Sequence, residues 1–256
     1  MRANAVKRGL LAGRPQVGTM ISTNDPMIAQ IMANGGFDWV LFDMEHGPVT
    51  LGALQTGVGV VRGTTTEPFA RVAWNSSAAI QTALDCGVSG IMIPMIGTRA
   101  DAEAAARDAR YSPLGERSRG GMLAGLSFGT DGGTYREHAN DEVLVLAQIE
   151  TREAIDNLDE IASVAGIDCL YVGPSDLGST YGVDPIRAWD DKSTDFARAI
   201  LTVPAVARKH GKIPGIQVAH PAMAKECIAL GFTLIGMGGD ANFLLAATRK
   251  ARAEIG

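Results

Sequence analysis

The chain has 256 residues, of which 46% are hydrophobic and 20% charged. This composition is typical of a soluble globular protein and excludes a long disordered or membrane-embedded chain. A formal net charge of −5 gives no general attraction for phosphate backbones or anionic lipid, so nucleic acid and membranes are not expected partners. Three isolated cysteines without CxxC spacing, and only a short apolar stretch before Arg14, predict a reduced, cytoplasmic protein.

Eight apolar, β-rich segments follow one another along the chain, and each ends in glycine, proline or a charged residue. Stretches with helical periodicity lie between them, the clearest being residues 98–111, where Thr98 is the predicted N-cap. The predicted strands are Gln16–Thr23, Phe37–Glu45, Glu67–Val72, Gly90–Ile96, Val143–Thr151, Ile167–Gly173, Ile213–Val218 and Leu234–Gly239.

Near-continuous apolar strands that alternate with amphipathic helices predict a parallel sheet covered by helices, and eight such units predict a closed (β/α)₈ TIM barrel. The alternative is a doubly wound open sheet, but no GxGxxG motif follows the first strand. No linker interrupts the pattern, so residues 1–256 are predicted to form a single domain. Two long irregular stretches, residues 111–140 and 176–193, are interpreted as insertions in loops of the kind that shape an active-site mouth.

Polar residues cluster where several predicted strands end. In a barrel these ends converge on one face, so residues far apart in sequence become neighbours. The candidates are Asp43, Glu45, His46, Arg71, Gln148, Glu150 and Asp176.

A divalent metal site is predicted at Glu150 and Asp176, which follow neighbouring strands. Gln148 is two residues before Glu150 and should share its face of the strand. Two carboxylates with no nearby histidine or cysteine suit Mg²⁺ or Mn²⁺. The alternative is that each acid only caps a helix or forms a salt bridge.

A second candidate element is the stretch GPSDLG, residues 173–178. Gly173 and Pro174 allow a tight turn, and the backbone N–H groups of Ser175 and Asp176 could form an anion pocket at the start of a short helix. An ordinary barrel turn would give the same pattern.

Two further side chains suit the stabilisation of a developing negative charge and the transfer of a proton. Arg71 could stabilise an oxygen that becomes negative during a reaction, or it could be a structural ion-pair partner. His46 suits a general base near neutral pH and needs an acid to hold its tautomer. Asp43 and Asp85 both qualify, and the sequence leaves that choice open.

These motifs together resemble the metal-dependent class II pyruvate aldolases of the HpcH/HpaI aldolase/citrate lyase family. The matching segments extend from about Gln16 to Asp240 and read FDMEHGP, ARV, ALDCGVSGIMIPMI, QIET and YVGPSDLG. The resemblance implies a barrel of the phosphoenolpyruvate/pyruvate type. It also implies a homo-oligomer, typically a hexamer, in which a C-terminal helix packs on or is swapped with a neighbouring subunit.

The resemblance also implies a reaction: reversible aldol cleavage of a 4-hydroxy-2-oxo acid to pyruvate and an aldehyde, through a metal-stabilised enolate. Arg71 would stabilise the enolate, and His46 would act as the base, assisted by Asp85 and Asp43. Glu150 and Asp176 would hold Mg²⁺, Mn²⁺ or Co²⁺. The residues implied to bind the oxo acid are Gln148, Gly173, Pro174, Ser175 and Asp176.

Three points stay open at this stage. Ser175 stands where alanine is common in the family, which suggests hydroxypyruvate as a second donor. The aldehyde could be acidic, sugar-derived or a product of aromatic catabolism. The alternative functions are a citramalyl- or malyl-CoA lyase of the same superfamily, which would need a basic surface for CoA, and a non-catalytic barrel that senses an oxo acid.

Overall fold

The computed structural model describes residues 1–255 and shows a closed barrel of eight parallel strands in the order β1 to β8. The strands are β1 Gln16–Ile21, β2 Trp39–Asp43, β3 Glu67–Arg71, β4 Gly90–Ile93, β5 Leu144–Ile149, β6 Cys169–Val172, β7 Ile213–Val218 and β8 Leu234–Gly239. The helices are α1 Ala5–Leu11, α2 Pro26–Ala33, α3 Leu51–Val61, α4 Ser77–Asp85, α5 Arg99–Ala109, α6 Met122–Ser127, α7 Gly132–Glu142, α8 Arg152–Asp156, α9 Leu158–Ala162, α10 Pro174–Tyr181, α11 Pro185–Asp190, α12 Asp195–Lys209, α13 Pro221–Ala229 and α14 Asp240–Ala253.

The predicted (β/α)₈ barrel is confirmed, and the doubly wound alternative is wrong, because β8 pairs with β1 and closes the sheet. Each predicted strand is present. Several end earlier than predicted: β2 ends at Asp43 and β5 at Ile149. Glu45 and Glu150 therefore lie in the loops that follow these strands.

Aromatic side chains fill the inside of the barrel. Trp39 stacks on Phe69 with ring centroids 5.2 Å apart, and Tyr171 meets Trp39 edge-on. Glycines on the strands make room for them, since a Cβ on Gly18 would lie 2.0 Å from the Trp39 ring and one on Gly90 would lie 2.7 Å from Phe69. Helix α1 adds two buried side chains to the same cluster, at the end of the barrel where the strands begin.

The second layer of the core lies between the strands and the helices. Val40 and Phe42 of β2 belong to this layer, whereas Leu41 faces the barrel interior, as expected for alternating side chains. Burying each such side chain contributes about 1.5–3 kcal/mol to stability. The predicted N-cap Thr98 is confirmed: it forms a capping box with Asp101 at the start of α5.

The two irregular stretches lie at opposite ends of the barrel. Residues 176–193 form α10 and α11 after β6, and Pro185 and Ile186 line a pocket at the carboxyl-terminal end, as expected. Residues 111–140 form α6 and α7 between α5 and β5. A connection from a helix to the next strand returns to the amino-terminal end of the barrel, so the expectation that this stretch shapes the mouth of its own barrel is wrong.

Helix α14 extends away from the barrel surface. Asp240 is its one buried residue within the described chain, and Leu244 and Leu245 are exposed. The ring of Phe243 stacks on Phe37 with centroids 6.2 Å apart. Among residues 1–255 no helix, α14 included, has the length and apolar character that crossing a bilayer requires.

Candidate active site

A cavity of about 140 Å³ opens at the carboxyl-terminal end of the barrel. Its floor includes the apolar side chains of Trp39, Leu41 and Met92, which keep the interior dry. The predicted site residues that line it are His46, Arg71, Gln148, Gly173, Pro174, Ser175 and Asp176.

Asp43 holds Arg71 in place at the ends of β2 and β3, where the two residues are register partners. The Nε and Nη2 atoms of Arg71 donate to the two carboxylate oxygens of Asp43 at 2.9 and 2.7 Å. Burial alone would raise the pKa of Asp43, but the hydrogen bonds and charge of Arg71, with two backbone N–H groups, hold it below its usual range. Asp43 is therefore ionised, and it fixes the guanidinium.

The carboxylate beside the imidazole of His46 is that of Glu45. The His46 Nε2 atom lies 3.7 Å from Oε2 of Glu45, and the same oxygen lies 3.1 Å from Nη1 of Arg71. Asp43 contacts His46 only through the backbone N–H, at 3.2 Å. The sequence showed Glu45 among the polar residues at this strand end, but it gave no signal that this carboxylate lies between the arginine and the histidine.

Burial raises the pKa of Glu45 above its ordinary value, and the nearby carboxylates of Asp43 and Asp176 add to that effect against the opposing charges of Arg71 and His46. Its Oε2 atom is buried and, among the described residues, lacks a hydrogen-bond partner. Glu45 is therefore held close to Arg71 and His46 while one of its oxygens has no hydrogen-bond partner.

The structure does not bring Asp85 to His46 within one chain. Asp85 is the last residue of α4, whose carboxyl end leads back to the start of β4, and its Oδ1 atom accepts a hydrogen bond from Nη2 of Arg117 at 2.8 Å. His46 lies at the opposite end of the barrel. Asp85 could assist a histidine only across an interface between two copies, so that role depends on the predicted oligomer.

Gln148 and Glu150 point to the same side, and their side chains are hydrogen-bonded to each other through Nε2 of Gln148 and Oε2 of Glu150. The other oxygen of Glu150 accepts the backbone N–H of Met95 at 2.7 Å. Met95 has a φ of 55°, the one positive φ of a non-glycine residue in the described chain. Left-handed backbone at such a residue costs energy and is concentrated at functional sites, so this loop is shaped around Glu150.

Gly173 closes the site on the side of β6. A Cβ at this position would lie 2.7 Å from Oε2 of Glu150 and 2.8 Å from Nε2 of Gln148, so a larger residue would displace the Gln148–Glu150 pair. Helix α10 starts at Pro174, and no side chain in the described chain caps its first turn. The backbone N–H groups of Ser175 and Asp176 therefore point to the cavity as donors for an anion.

The carboxylates fit a divalent cation. Burial raises the pKa of Glu150 to about 7, and repulsion from Glu45 and Asp176 contributes, while the Met95 N–H and Arg71 oppose it. A cation between Glu150 and Asp176 would relieve this repulsion. Residues 1–255 contain no group of three or more His, Cys, Asp or Glu side chains arranged for a metal, but Mg²⁺ commonly uses one or two carboxylates and completes its coordination with water and substrate.

A barrel with this arrangement of charges at its mouth belongs to the class of TIM-barrel enzymes that work from the carboxyl ends of their strands. The model of the HpcH/HpaI aldolase/citrate lyase family matches residues 16–247. The chain therefore belongs to the HpcH/HpaI aldolase/citrate lyase family.

Individual relatives agree with this assignment over nearly the whole chain. A 4-hydroxy-2-oxo-heptane-1,7-dioate aldolase of Escherichia coli is 34% identical over 99% of this chain and 95% of its own length. A family protein from Burkholderia cenocepacia superposes with a TM-score of 0.89 at 31% identity, covering 98% of this chain and 99% of its own. An HpcH/HpaI aldolase from Desulfitobacterium hafniense gives 0.87 at 28%, covering 97% and 95%. The predicted class, a carbon–carbon lyase of the aldolase type, is confirmed.

Proposed function

We propose that the enzyme catalyses reversible aldol cleavage of 4-hydroxy-2-oxo acids to an aldehyde and pyruvate or a close analogue. The observation that carries the proposal is the fixed Arg71 guanidinium, held by Asp43 at the mouth of a small cavity that also contains His46 and the Gln148–Glu150 pair. The name of the Escherichia coli relative supports this class of substrate. No lysine of the described chain lines the cavity, so a Schiff-base route has no candidate nucleophile there.

The oxo acid is oriented by neutral and backbone donors. Its carboxylate accepts from the N–H groups of Ser175 and Asp176 at the start of α10. The amide nitrogen of Gln148 carries two N–H groups, of which one is used by Glu150, so the other is left for an oxygen of the oxo acid.

Arg71 stabilises the charge that develops when the C3–C4 bond breaks. The electron pair left on C3 delocalises into the keto group, whose oxygen becomes negative. Because Asp43 already fixes the guanidinium, Arg71 needs no reorganisation when this charge appears, and such a preorganised donor is typically worth a factor of about 10²–10³ in rate.

His46 moves the proton. In the cleavage direction its neutral imidazole removes the proton of the C4 hydroxyl, which becomes the carbonyl of the aldehyde; in the aldol direction the same group removes a C3 proton from pyruvate. The Glu45 carboxylate, 3.7 Å from Nε2, favours the tautomer that carries its proton on this nitrogen, so that the other nitrogen is free to accept. The His46 side chain is 59% exposed, so solvent can take up or return the proton.

Glu150 and Asp176 would hold the divalent cation, Mg²⁺ or Mn²⁺. When bound, such an ion acts as a Lewis acid that polarises the keto oxygen and lowers the energy of the enolate. Their oxygen-only donor set and the raised pKa of Glu150 support this assignment.

Ser175 supports a wider choice of donor. Its side chain is exposed at the cavity, and its hydroxyl makes no recorded hydrogen bond within residues 1–255. The hydroxyl is therefore available to the extra hydroxyl group of hydroxypyruvate, which we propose as a second donor.

The implied homo-oligomer stays a prediction, which the exposed apolar side chains of α14 support. Leu244 and Leu245 are 60% and 48% exposed, and a second copy of the chain would bury them. Light scattering on the purified protein tests this point. A monomeric mass would contradict it and would leave Asp85 without access to any His46.

The function is tested by measuring pyruvate release from 4-hydroxy-2-oxo acids with varied tails, with Mg²⁺ or Mn²⁺ and then with EDTA. We expect activity that disappears with EDTA and in Glu150→Ala, while Glu160→Ala, which removes an exposed glutamate of α9, serves as the matched control. Activity that survives EDTA would contradict the metal assignment. Cleavage of a CoA thioester instead, or pyruvate binding without turnover, would favour the CoA lyase or the sensor.

A further inference from the structure

A polar side chain of β7 lines the active-site cavity without a role in the chemistry described above. Strands β1 and β7 each contribute one side chain to the wall of this cavity, Met20 and Gln217, and Gln217 is the polar one. Gln217 also lines an adjoining space of about 340 Å³. It therefore stands where the oxo acid must meet the rest of the substrate.

Tyr171 of β6 holds the Gln217 side chain in one orientation. The Tyr171 hydroxyl donates to Oε1 of Gln217 at 2.9 Å. Burial raises the pKa of Tyr171 well above its ordinary value, so this hydroxyl keeps the proton that it donates. The Tyr171 ring is 2% exposed and meets the Trp39 ring edge-on at 6.4 Å. Since the ring is packed on all sides, the amide of Gln217 has a fixed anchor.

The opposing strand β8 leaves room for this pair. A Cβ on Gly236 would lie 2.1 Å from Oε1 of Gln217 and 2.1 Å from the hydroxyl oxygen of Tyr171. Any larger residue at position 236 would therefore displace both groups. The polar pair occupies the interior of an otherwise aromatic and aliphatic barrel only because this glycine is there.

The anchored amide keeps donor capacity for a ligand. The Nε2 atom of Gln217 carries two N–H groups. Its one recorded acceptor in the described chain is the backbone oxygen of Gly238 at 3.5 Å, which is longer than the usual range of about 2.7–3.2 Å. The hydroxyl of Ser175, which lines the same two spaces, makes no recorded bond within residues 1–255. An oxygen atom of the substrate could bind to both.

The group of the oxo acid that remains for Gln217 is the substituent on C3. The carboxylate is assigned to the N–H groups at the start of α10, and the keto oxygen faces Arg71. A hydroxyl on C3 would accept from Gln217, whereas a methyl group there would leave the amide N–H without an acceptor. A site built to bind a hydroxyl discriminates strongly against an analogue that lacks it.

We propose that Gln217, positioned by Tyr171, binds a hydroxyl group on C3 of the oxo acid and so selects hydroxylated donors over donors of similar size that carry a methyl group. This inference rests on the proposed function, and it adds a fixed amide to the mobile hydroxyl of Ser175. Tyr171 does not touch the donor; it is a positioning residue that acts through Gln217.

Exchange of the C3 protons of the donor with deuterium from D₂O tests the proposal by proton NMR in the presence of Mg²⁺. His46 removes a C3 proton and returns a deuteron from solvent, so this half-reaction needs no aldehyde. The donors are pyruvate, hydroxypyruvate and 2-oxobutyrate, and exchange without enzyme is subtracted. We expect kcat/KM for hydroxypyruvate to exceed that for 2-oxobutyrate by about tenfold or more, since Ser175 and Gln217 each contribute a hydrogen bond.

Gln217→Met keeps the length of the side chain and removes the amide. It should lower the preference for hydroxypyruvate over 2-oxobutyrate by about 2–10-fold, with a smaller change for pyruvate. Tyr171→Phe should lower the same preference, because the amide loses its anchor. The double variant should lose no more than Gln217→Met alone, since the two residues act through one interaction. Gln30→Met, which changes an exposed glutamine of α2, is the matched control and should keep the full preference.

The outcomes separate this inference from the proposed function. Equal losses for all three donors in Gln217→Met would assign the pair to the fold alone and overturn the inference. Exchange by the natural sequence without preference for hydroxypyruvate would also overturn it, and would leave the proposed function intact. Exchange of no donor by the natural sequence would contradict the proposed function and this inference together.

The double variant also guards against misfolding. Gln217→Met leaves the Tyr171 hydroxyl buried without its acceptor, which is unfavourable, whereas removal of both polar partners is nearly neutral. The melting temperature of Tyr171→Phe/Gln217→Met should therefore exceed that of Gln217→Met. A well-folded double variant that keeps the full preference for hydroxypyruvate would overturn the proposal.

Discussion

Buried charges are paired at the amino-terminal end of the strands, whereas carboxylates are in excess at the carboxyl-terminal end. At the amino-terminal end, Arg62 donates to the carboxylate of Glu67 and to the hydroxyl of Ser89, and Glu67 also accepts from Ser89. Arg110 pairs with Asp168 in the same manner and donates to three backbone oxygens besides. Each of these charges has a counter-charge and a set of hydrogen bonds.

At the carboxyl-terminal end the charges do not balance. The fixed cation is Arg71, with the imidazole of His46 nearby, whereas the carboxylates are Asp43, Glu45, Glu150 and Asp176. Burial is the main cause of the raised pKa values of Glu45 and Glu150. One buried oxygen each of Glu45 and Gln148 lacks a hydrogen-bond partner among the described residues. Satisfied pairs stabilise a fold, while charges left in excess in a cleft indicate where a ligand or cation completes the site.

The largest expected effect comes from replacing one arginine at each end with lysine. A lysine cannot reproduce the several directed hydrogen bonds that each of these guanidinium groups donates. Arg71→Lys should lower kcat by about 100-fold, within the range for removal of one oxyanion donor, and should also lower the free energy of unfolding, because Arg71 and Asp43 are as buried as Arg62 and Glu67. Arg62→Lys should lower the free energy of unfolding alone, by up to about 3 kcal/mol, because it disrupts a buried pair and leaves kcat unchanged.

Steady-state kinetics and urea unfolding on the same preparations measure both effects. If Arg71→Lys lost mainly stability and Arg62→Lys mainly activity, the contrast between the two ends would be wrong. Equal losses of both quantities in both variants would also contradict it.

The next effect concerns Glu45, the carboxylate between Arg71 and His46. Glu45→Gln keeps the size of the side chain but removes the charge that lies 3.1 Å from Arg71 and 3.7 Å from His46. We expect kcat to fall about tenfold, the size of effect typical of losing one interaction with a charged group, with a smaller change in KM. Glu142→Gln at the other end, where the carboxylate accepts the Asn4 N–H, is the control and should not affect kcat. A change confined to KM would assign Glu45 to substrate binding instead.

In the metal-free protein, the buried carboxylate of Glu150 makes the free energy of unfolding depend on pH. Burial raises its pKa from 4.5 to about 7, so between these values the folded protein binds more protons than the unfolded chain. The free energy of unfolding contributed by Glu150 therefore falls as pH rises through this window. Asp43, whose pKa is lowered, acts in the opposite sense, and its contribution is lost as pH falls through its folded pKa.

Thermal unfolding in EDTA from pH 5 to 8, for the natural sequence and Glu150→Gln, isolates this contribution. As pH rises, the melting temperature of the natural sequence should fall relative to that of Glu150→Gln. Added Mg²⁺ should stabilise only the natural sequence at the upper end. A difference that does not vary with pH would show that burial and repulsion do not raise the pKa of Glu150 in the folded protein.

Much of the fold is predictable from the sequence because each strand lies in an apolar run that ends in glycine, proline or a charged residue. The site is less predictable because it depends on register and on the end of the barrel that a residue occupies. The pairing of Asp43 with Arg71 follows from the alignment of β2 and β3, which one sequence does not fix. Asp85 and Arg117 are 32 residues apart and meet only through the insertion after α5, so the position of Asp85 has no local signal.

The smallest expected effect compares one serine at each end. The Ser89 hydroxyl is buried and bonded to Glu67, so Ser89→Ala should lower stability without affecting substrate choice. The Ser175 hydroxyl faces the cavity without a recorded partner in the described chain, so Ser175→Ala should leave stability unchanged. It should lower the kcat/KM ratio of hydroxypyruvate over pyruvate in the aldol direction by about 2–10-fold, the range for one neutral hydrogen bond. An unchanged ratio would mean that the donor's extra hydroxyl is bound elsewhere, and Gln217, which lines the same cavity but is bonded to Tyr171, would be the next residue to vary.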